Sequence, residues 1–118
     1  MTTTVYVCTS CRAAGETLEP REERAGARLH AAVGEAAQDQ PDIAVVGVEC
    51  LSVCKRPVTV SFASAGKWTY VYGDFTPDRA REVIEGARLF ARTADGLIPW
   101  KERPDALKRG VVARIPPL

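Results

Sequence analysis

The chain has 118 residues, 46% hydrophobic and 26% charged, which fits one globular domain and excludes a disordered chain. Sixteen basic against fifteen acidic residues leave a net charge of +1, and aromatic content is 7%, so neither a nucleic-acid footprint nor a base-stacking platform is present. No apolar run approaches the roughly 18 residues needed to cross a bilayer, and Met1-Thr2-Thr3-Thr4-Val5-Tyr6 lacks the basic start of a signal peptide; a cytoplasmic location is expected, where thiols stay reduced.

Thr2 to Val7 is β-branched and aromatic and predicts a first strand, ending in Cys8-Thr9-Ser10-Cys11-Arg12. After a loop containing Gly15, Glu19-Pro20 opens a helix, because proline suits the first helical position. Glu22 and Glu23 favour its first turn, and Ala25, Leu29, Ala32, Val33 and Ala36 share one face. Ile43 to Val48 is an almost unbroken apolar run, as expected of a central strand buried on both faces. Val58 to Ala63 and Lys67 to Tyr72 form a hairpin through Ser64-Ala65-Gly66. Thr76-Pro77 starts a second helix, with Ala80, Val83, Ile84, Ala87 and Phe90 on its buried face. Beyond Thr93, Gly96 to Trp100 reads as extended, Pro104 to Arg109 as a short helix, and Val111 to Leu118 as an apolar tail ended by prolines.

The element order is β-α-β followed by β-β-α. The crossover helix predicts a parallel first pair with a right-handed connection. This is the order of the thioredoxin fold: an α/β domain with a mixed four-stranded sheet flanked by helices. Residues 1–92 are expected to form the domain, and residues 93–118 an extension packing on it or on a second copy.

Four cysteines stand in two close pairs. Cys8 and Cys11 make C-x2-C, and after 38 residues Cys50 and Cys54 make C-x3-C. Each pair follows a β-rich run, so two sheet-end loops bring two sulfurs each to one place. In a reducing compartment such pairs indicate metal or redox chemistry and not structural disulfides. Thiolates are soft ligands that suit tetrahedral zinc or an iron–sulfur cluster. The C-x3-C spacing and the substantial α/β setting speak against a zinc ribbon, but a zinc-binding structural or delivery module stays open. So does a thiol–disulfide oxidoreductase using Cys8 and Cys11, since C-x-x-C after a strand is a redox motif; against it stand the second cysteine pair and the loop, in place of a helix, after Cys11.

The stretch Cys50-Leu51-Ser52-Val53-Cys54-Lys55-Arg56-Pro57, the hairpin, and Tyr72-Gly73-Asp74-Phe75-Thr76-Pro77 before a helix resemble the thioredoxin-like [2Fe-2S] ferredoxins. These include the matching small subunit of respiratory complex I and hydrogenases. The first half agrees in outline, with Val7-Cys8 closing a strand and Arg12 close behind. The resemblance spans roughly residues 4 to 92. It implies one [2Fe-2S] cluster near the surface, ligated by Cys8, Cys11, Cys50 and Cys54, and a one-electron carrier or cluster-dependent accessory factor with a redox partner protein. Two departures stand out: only two residues separate the first two cysteines, where the family has four or more, and Ser52 replaces the usual glycine. The whole chain, tail included, resembles a bacterial family of predicted metal-binding proteins within this fold, which implies a place in cobalamin or other metal metabolism.

Remaining residues read more plainly. His30, one position past Leu29, is expected as a surface or boundary residue of the helix and not as a ligand. Arg12, Lys55 and Arg56 flank the sulfurs, either as solvated surface or to offset cluster charge and meet an acidic partner. Pro57 precedes the third strand, where this fold often has a cis proline; cis and trans Arg56–Pro57 both stay open. Tyr6, Trp68 and Tyr70 are packing groups. Trp100 and the 111–118 tail either cover an apolar face or form a homodimer interface. No nucleophile elbow, phosphate loop or carboxylate pair is present, and there is one histidine, so an electron-transfer or metal-binding protein is expected and not an enzyme.

Overall fold

The computed structural model describes residues 2–12 and 21–118. Its strands are β1 (Thr3–Cys8), β2 (Ile43–Val48), β3 (Val60–Ala63), β4 (Thr69–Tyr72) and β5 (Val111–Ile115), and its helices are α1 (Ala25–Ala36), α2 (Ala80–Arg92) and α3 (Asp105–Arg109). The expected Gly15 loop and the helix start at Glu19-Pro20 lie outside the described residues. A 3-10 turn at Arg21–Glu23 precedes α1.

The five strands form one sheet in the order β2-β1-β3-β4-β5. β1 and β2 run parallel in the register Val5↔Val45, as a crossover helix requires. β3 lies antiparallel on the other side of β1, and the β3–β4 hairpin follows as expected. Gly66 takes φ 76 at its tip, a conformation open to glycine at no steric cost.

Two expectations change. The sheet has five strands and not four, because the tail residues Val111 to Ile115 pair antiparallel with β4 in the register Val71↔Ala113. Pro116 cannot donate to a ladder, so it ends the strand. The Ile43 to Val48 run is an edge strand and not a central one, with Val46 40% exposed. An apolar run reports that both faces are uncharged; it does not report how many neighbours a strand has. The strand between two partners whose first three residues are all buried, β3, is only four residues long, too short to show a pattern. The cis peptide bond among the described residues lies between Pro57 and Val58, and not between Arg56 and Pro57.

The core lies between one face of the sheet and α1 with α2. Val5 and Val7 of β1, Val60 and Phe62 of β3, and Tyr70 and Tyr72 of β4 are fully buried against Leu29 and Val33 of α1 and Val83, Ala87 and Phe90 of α2. The alternation along the strands delivers this face. Phe62 packs on Tyr72 and Phe90 at centroid distances of 5.2 and 6.0 Å, and Tyr72 meets Phe75 at 6.1 Å. Leu107 of α3 is also fully buried, so the stretch after α2 adds to the same core. Tyr70 is a packing group as expected; Trp100 is 59% exposed.

This arrangement brings the C-terminal ends of parallel strands β1 and β2 side by side, with Cys8↔Val48 as the last register pair. The two cysteine loops begin there. Crevices at the carboxyl ends of parallel strands are where open α/β sheets bind their ligands.

Candidate metal centre

The first sulfur pair is buried. Cys8 is 1% and Cys11 7% exposed. Cys8 Sγ lies 3.7 Å from Ser10 Oγ, and Cys11 Sγ lies 3.7 Å from Thr59 Oγ1. When protonated, the Cys8 thiol donates to the Glu49 carbonyl oxygen at 3.3 Å. The second pair is exposed: Cys50 Sγ and Cys54 Sγ are 3.8 Å apart, and the Ser52 N–H donates to Cys50 Sγ at 3.1 Å. Ser52 makes this bond at φ 62, the left-handed region in which glycine is the default residue. That explains why a glycine is usual at the position in the resembling family.

A cleft of about 430 Å³ is lined by one cysteine of each pair, Cys11 and Cys54, with Ser10, Arg12, Arg24 and Pro57. Its lining holds thiols and cations but no carboxylate or imidazole. Cys8 raises the pKa of Cys54 through space, as a lesser cause beside the hydrogen bond from Cys50, so the pairs sense one another. They do not merge: among the described residues, no three histidine, cysteine or carboxylate side chains converge on one ion position. His30 is half-buried, with its ring against the place a side chain at Gly47 would fill, near Thr9. It does not line the cleft. A larger groove of about 620 Å³ between α1 and α2 is lined by arginines, Glu85 and Gln40 and holds no sulfur, so soft-metal chemistry stays with the smaller cleft.

A helix and a glycine make the buried pair. The N-terminal turn of α1 packs on the Cys8 to Cys11 loop, with the Gly26 N–H donating to the Cys11 carbonyl oxygen at 2.9 Å. A Cβ on Gly26 would stand 2.1 Å from the Cys8 carbonyl oxygen. The Cys8 N–H donates to the Thr59 carbonyl oxygen at 3.0 Å, so the residue just before β3 supports the loop from its other side. Gly26, Ser10 and Thr59 were not legible as site residues. Gly26 did carry a signal, since glycine inside an alanine-rich helix is unfavourable and implies close packing.

The two buried thiols shift one another in opposite directions. A hydrogen bond from the Cys11 thiol stabilises the Cys8 thiolate and outweighs the opposing effect of burial, bringing Cys8 down to about 5. The same bond, followed by burial, pushes Cys11 far up. A group with a depressed pKa is charged above it and loses the charge as pH falls through it. Thiolate ultraviolet absorbance of the reduced, metal-free protein is therefore expected to persist down to about pH 5 and to move to higher pH in Cys11→Ala. Absence of any thiolate signal below the ordinary thiol value of about 8.5 would contradict this arrangement.

The donor set fits a thiophilic metal. A tetrahedral metal with sulfur at about 2.3 Å holds two of its ligands about 3.8 Å apart, the separation of Cys50 and Cys54.

The family described as Protein of unknown function (DUF1636) matches residues 5–117. No curated protein matches the chain. Among solved structures, a thioredoxin-like [2Fe-2S] ferredoxin from Aquifex aeolicus superposes with a TM-score of 0.62 at 19% identity, over 96% of this chain and 92% of that one. Another structure of the wild-type ferredoxin from that organism gives 0.61 at 20% identity, over 95% and 97%. A cysteine-to-serine variant of it gives 0.60 at 17% identity, over 94% and 98%. The chain therefore has the thioredoxin-like fold, as its element order implied.

Proposed function

Because this chain belongs to the DUF1636 family and has the thioredoxin-like fold, we propose that it holds one [2Fe-2S] cluster on Cys8, Cys11, Cys50 and Cys54 and serves as a one-electron carrier or a cluster-dependent accessory factor. The carrying observation is the grouping of the sulfurs: one cysteine of each pair, Cys11 and Cys54, lines a common cleft, Cys50 stands beside Cys54, and among the described residues no third metal donor joins either pair. A binuclear centre uses two sulfurs per metal, whereas one zinc needs four donors around a single point. Two solved neighbours, titled [2Fe-2S] ferredoxins, carry single cysteine-to-serine changes at positions four apart, the spacing of Cys50 and Cys54. This supports the reading.

When bound, the cluster supplies reversible one-electron chemistry. The chain's own residues set its surroundings. The buried pair brings sulfurs already close to hydroxyls and the main chain, and hydrogen bonds to sulfur tune potential. The exposed pair lies at the surface, where an electron leaves to a protein partner. The cations Arg12 and Lys55 offset the charge of the thiolates, while Arg56 is paired with Asp74. A reducing compartment, the cytoplasm, keeps the ligands available.

One observation favours the thiol–disulfide reading, the lowered pKa of Cys8. Its weakness is access: Cys8 is 1% exposed, and a nucleophilic thiol has to reach a disulfide along the S–S axis. The accessible sulfurs belong to the other pair, where Cys50 holds Cys54 up.

Anaerobic purification followed by a visible spectrum and iron, sulfide and zinc analysis tests the proposal. A red-brown protein with about two irons and two sulfides per chain is the expected result. A colourless protein with about one zinc would replace it with a structural or metal-delivery role. Reduced thiols with no metal, together with disulfide reduction that survives loss of Cys50 and Cys54, would favour the oxidoreductase.

A further inference from the structure

The loop carrying Cys50 and Cys54 has no regular secondary structure, so groups outside it have to fix its position. Its first end is tied to the loop of the buried pair, since the Glu49 carbonyl oxygen accepts from the Ser10 hydroxyl. Its last end enters a junction of three segments. The Arg56 guanidinium donates to the Asp74 carboxylate from Nε at 2.9 Å and from Nη2 at 2.6 Å. Nη2 also reaches the Arg109 carbonyl oxygen at 3.3 Å. The Asp74 N–H donates to the Arg56 carbonyl oxygen at 2.9 Å, and the Gly73 N–H to the Gly110 carbonyl oxygen at 2.8 Å.

There is no room for a side chain at the centre of this junction. A Cβ on Gly73 would lie 2.7 Å from the Arg56 carbonyl oxygen; one on Gly110 would lie 2.8 Å from that of Gly73 and 2.7 Å from that of Ala106. Asp74 sits at φ 64, a region that aspartate tolerates better than most residues. Arg109 and Gly110 come from the stretch after α2, so that stretch forms one wall of the junction.

We propose that the 93–118 extension clamps the exposed cysteine loop, with Arg56 as the positioning residue through which it acts. The clamp sets how far Cys54 stands from the buried pair across the cleft. Its consequence for a metal rests on the cluster reading above, but the clamp itself exists in the metal-free protein. The planar fork matters more than the charge: it engages a carboxylate and a main-chain carbonyl at once, which an ammonium group does not reproduce. The ion pair is well exposed, its side chains at 36% and 53%, so its effect on global stability is small. The effect is local order in the loop.

Hydrogen exchange of the reduced, metal-free full chain measures that order directly, with thermal unfolding on the same samples. Arg56→Gln is expected to speed exchange of the amides from Ser52 to Arg56 about tenfold with Tm nearly unchanged. Arg56→Lys is expected to loosen the loop nearly as much although the charge remains, and Gly110→Ala should do so by crowding. If Gly110→Ala fails to fold, Arg56→Gln decides alone. In cluster-loaded protein, Arg56→Lys is expected to shift the visible circular dichroism and the reduction potential from wild type. Unchanged loop exchange in Arg56→Gln would overturn the clamp, and so would faster exchange spread over the whole sheet with a fall in Tm. A wild-type chain that takes up no cluster would sink the cluster reading and leave the exchange result to judge the clamp.

Discussion

Gly26→Ala is expected to destabilise the protein by about 3 kcal/mol and to pull apart the buried cysteine pair. The usual sign of this substitution is the opposite, since glycine inside a helix is about 0.5–1 kcal/mol worse than alanine. Here the new methyl would meet the Cys8 carbonyl oxygen at 2.1 Å and the Cys11 Cβ at 3.2 Å. A main-chain oxygen at the end of β1 cannot rotate away, so either α1 lifts from the sheet or the loop moves. Overpacking of this kind typically costs about 1–3 kcal/mol, occasionally more, which outweighs the propensity gain. Gly34 is the matched control: it lies on the same helix with nothing within 4 Å of its Cβ position, and Gly34→Ala is expected to stabilise by about 0.5 kcal/mol. Thermal unfolding checks both. Gly26→Ala should lower Tm by on the order of 10 °C and expose Cys8 and Cys11 to alkylation in the reduced, metal-free protein, while Gly34→Ala does neither. A Gly26→Ala protein as stable as Gly34→Ala would mean that the helix does not form the floor of the site.

The second large effect is on metal content. If the protein holds the proposed cluster, replacing any one of Cys8, Cys11, Cys50 or Cys54 by alanine is expected to remove most of the iron and sulfide, because a binuclear centre with three thiolates leaves one metal a ligand short. The four variants should differ in stability when metal-free. Cys8 and Cys11 are buried, and truncating a packed side chain forfeits its contacts at a cost of about 1 kcal/mol. Cys50 and Cys54 are exposed and should cost almost nothing. Metal analysis beside unfolding curves separates ligand loss from unfolding. Full iron and sulfide in Cys50→Ala or Cys54→Ala would remove the exposed pair from the centre.

Much of the fold was readable because local chemistry agreed with the final structure. Thr76-Pro77 precedes a helix that begins through a 3-10 turn at Pro77–Arg79, and Ser64-Ala65-Gly66 closes a hairpin. The Thr76 hydroxyl donates to the Asp78 carboxylate and so does not cap the helix, although the start is where the sequence put it. Ile43 to Val48 misled because edge and centre are properties of pairing, decided by strands distant in sequence. Val111 to Ile115 misled for the same reason. A strand that completes its sheet across β4 after α2 and α3 have intervened shows no local sign of its partner.

The sequence by itself determined the chemistry available to this protein: four thiols in two pairs, each pair following a strand, with no rival constellation. Spacing within a few residues controls which sulfurs sit together, so C-x2-C and C-x3-C were enough to pair Cys8 with Cys11 and Cys50 with Cys54. Only the tertiary structure decided that one pair is buried and the other exposed, that Gly26 and Thr59 enclose the first, and that Arg56, Asp74 and Gly110 meet beside the second. Burial and close approach depend on contacts between residues far apart in the chain, and nothing in the local pattern at either end of such a contact encodes the other.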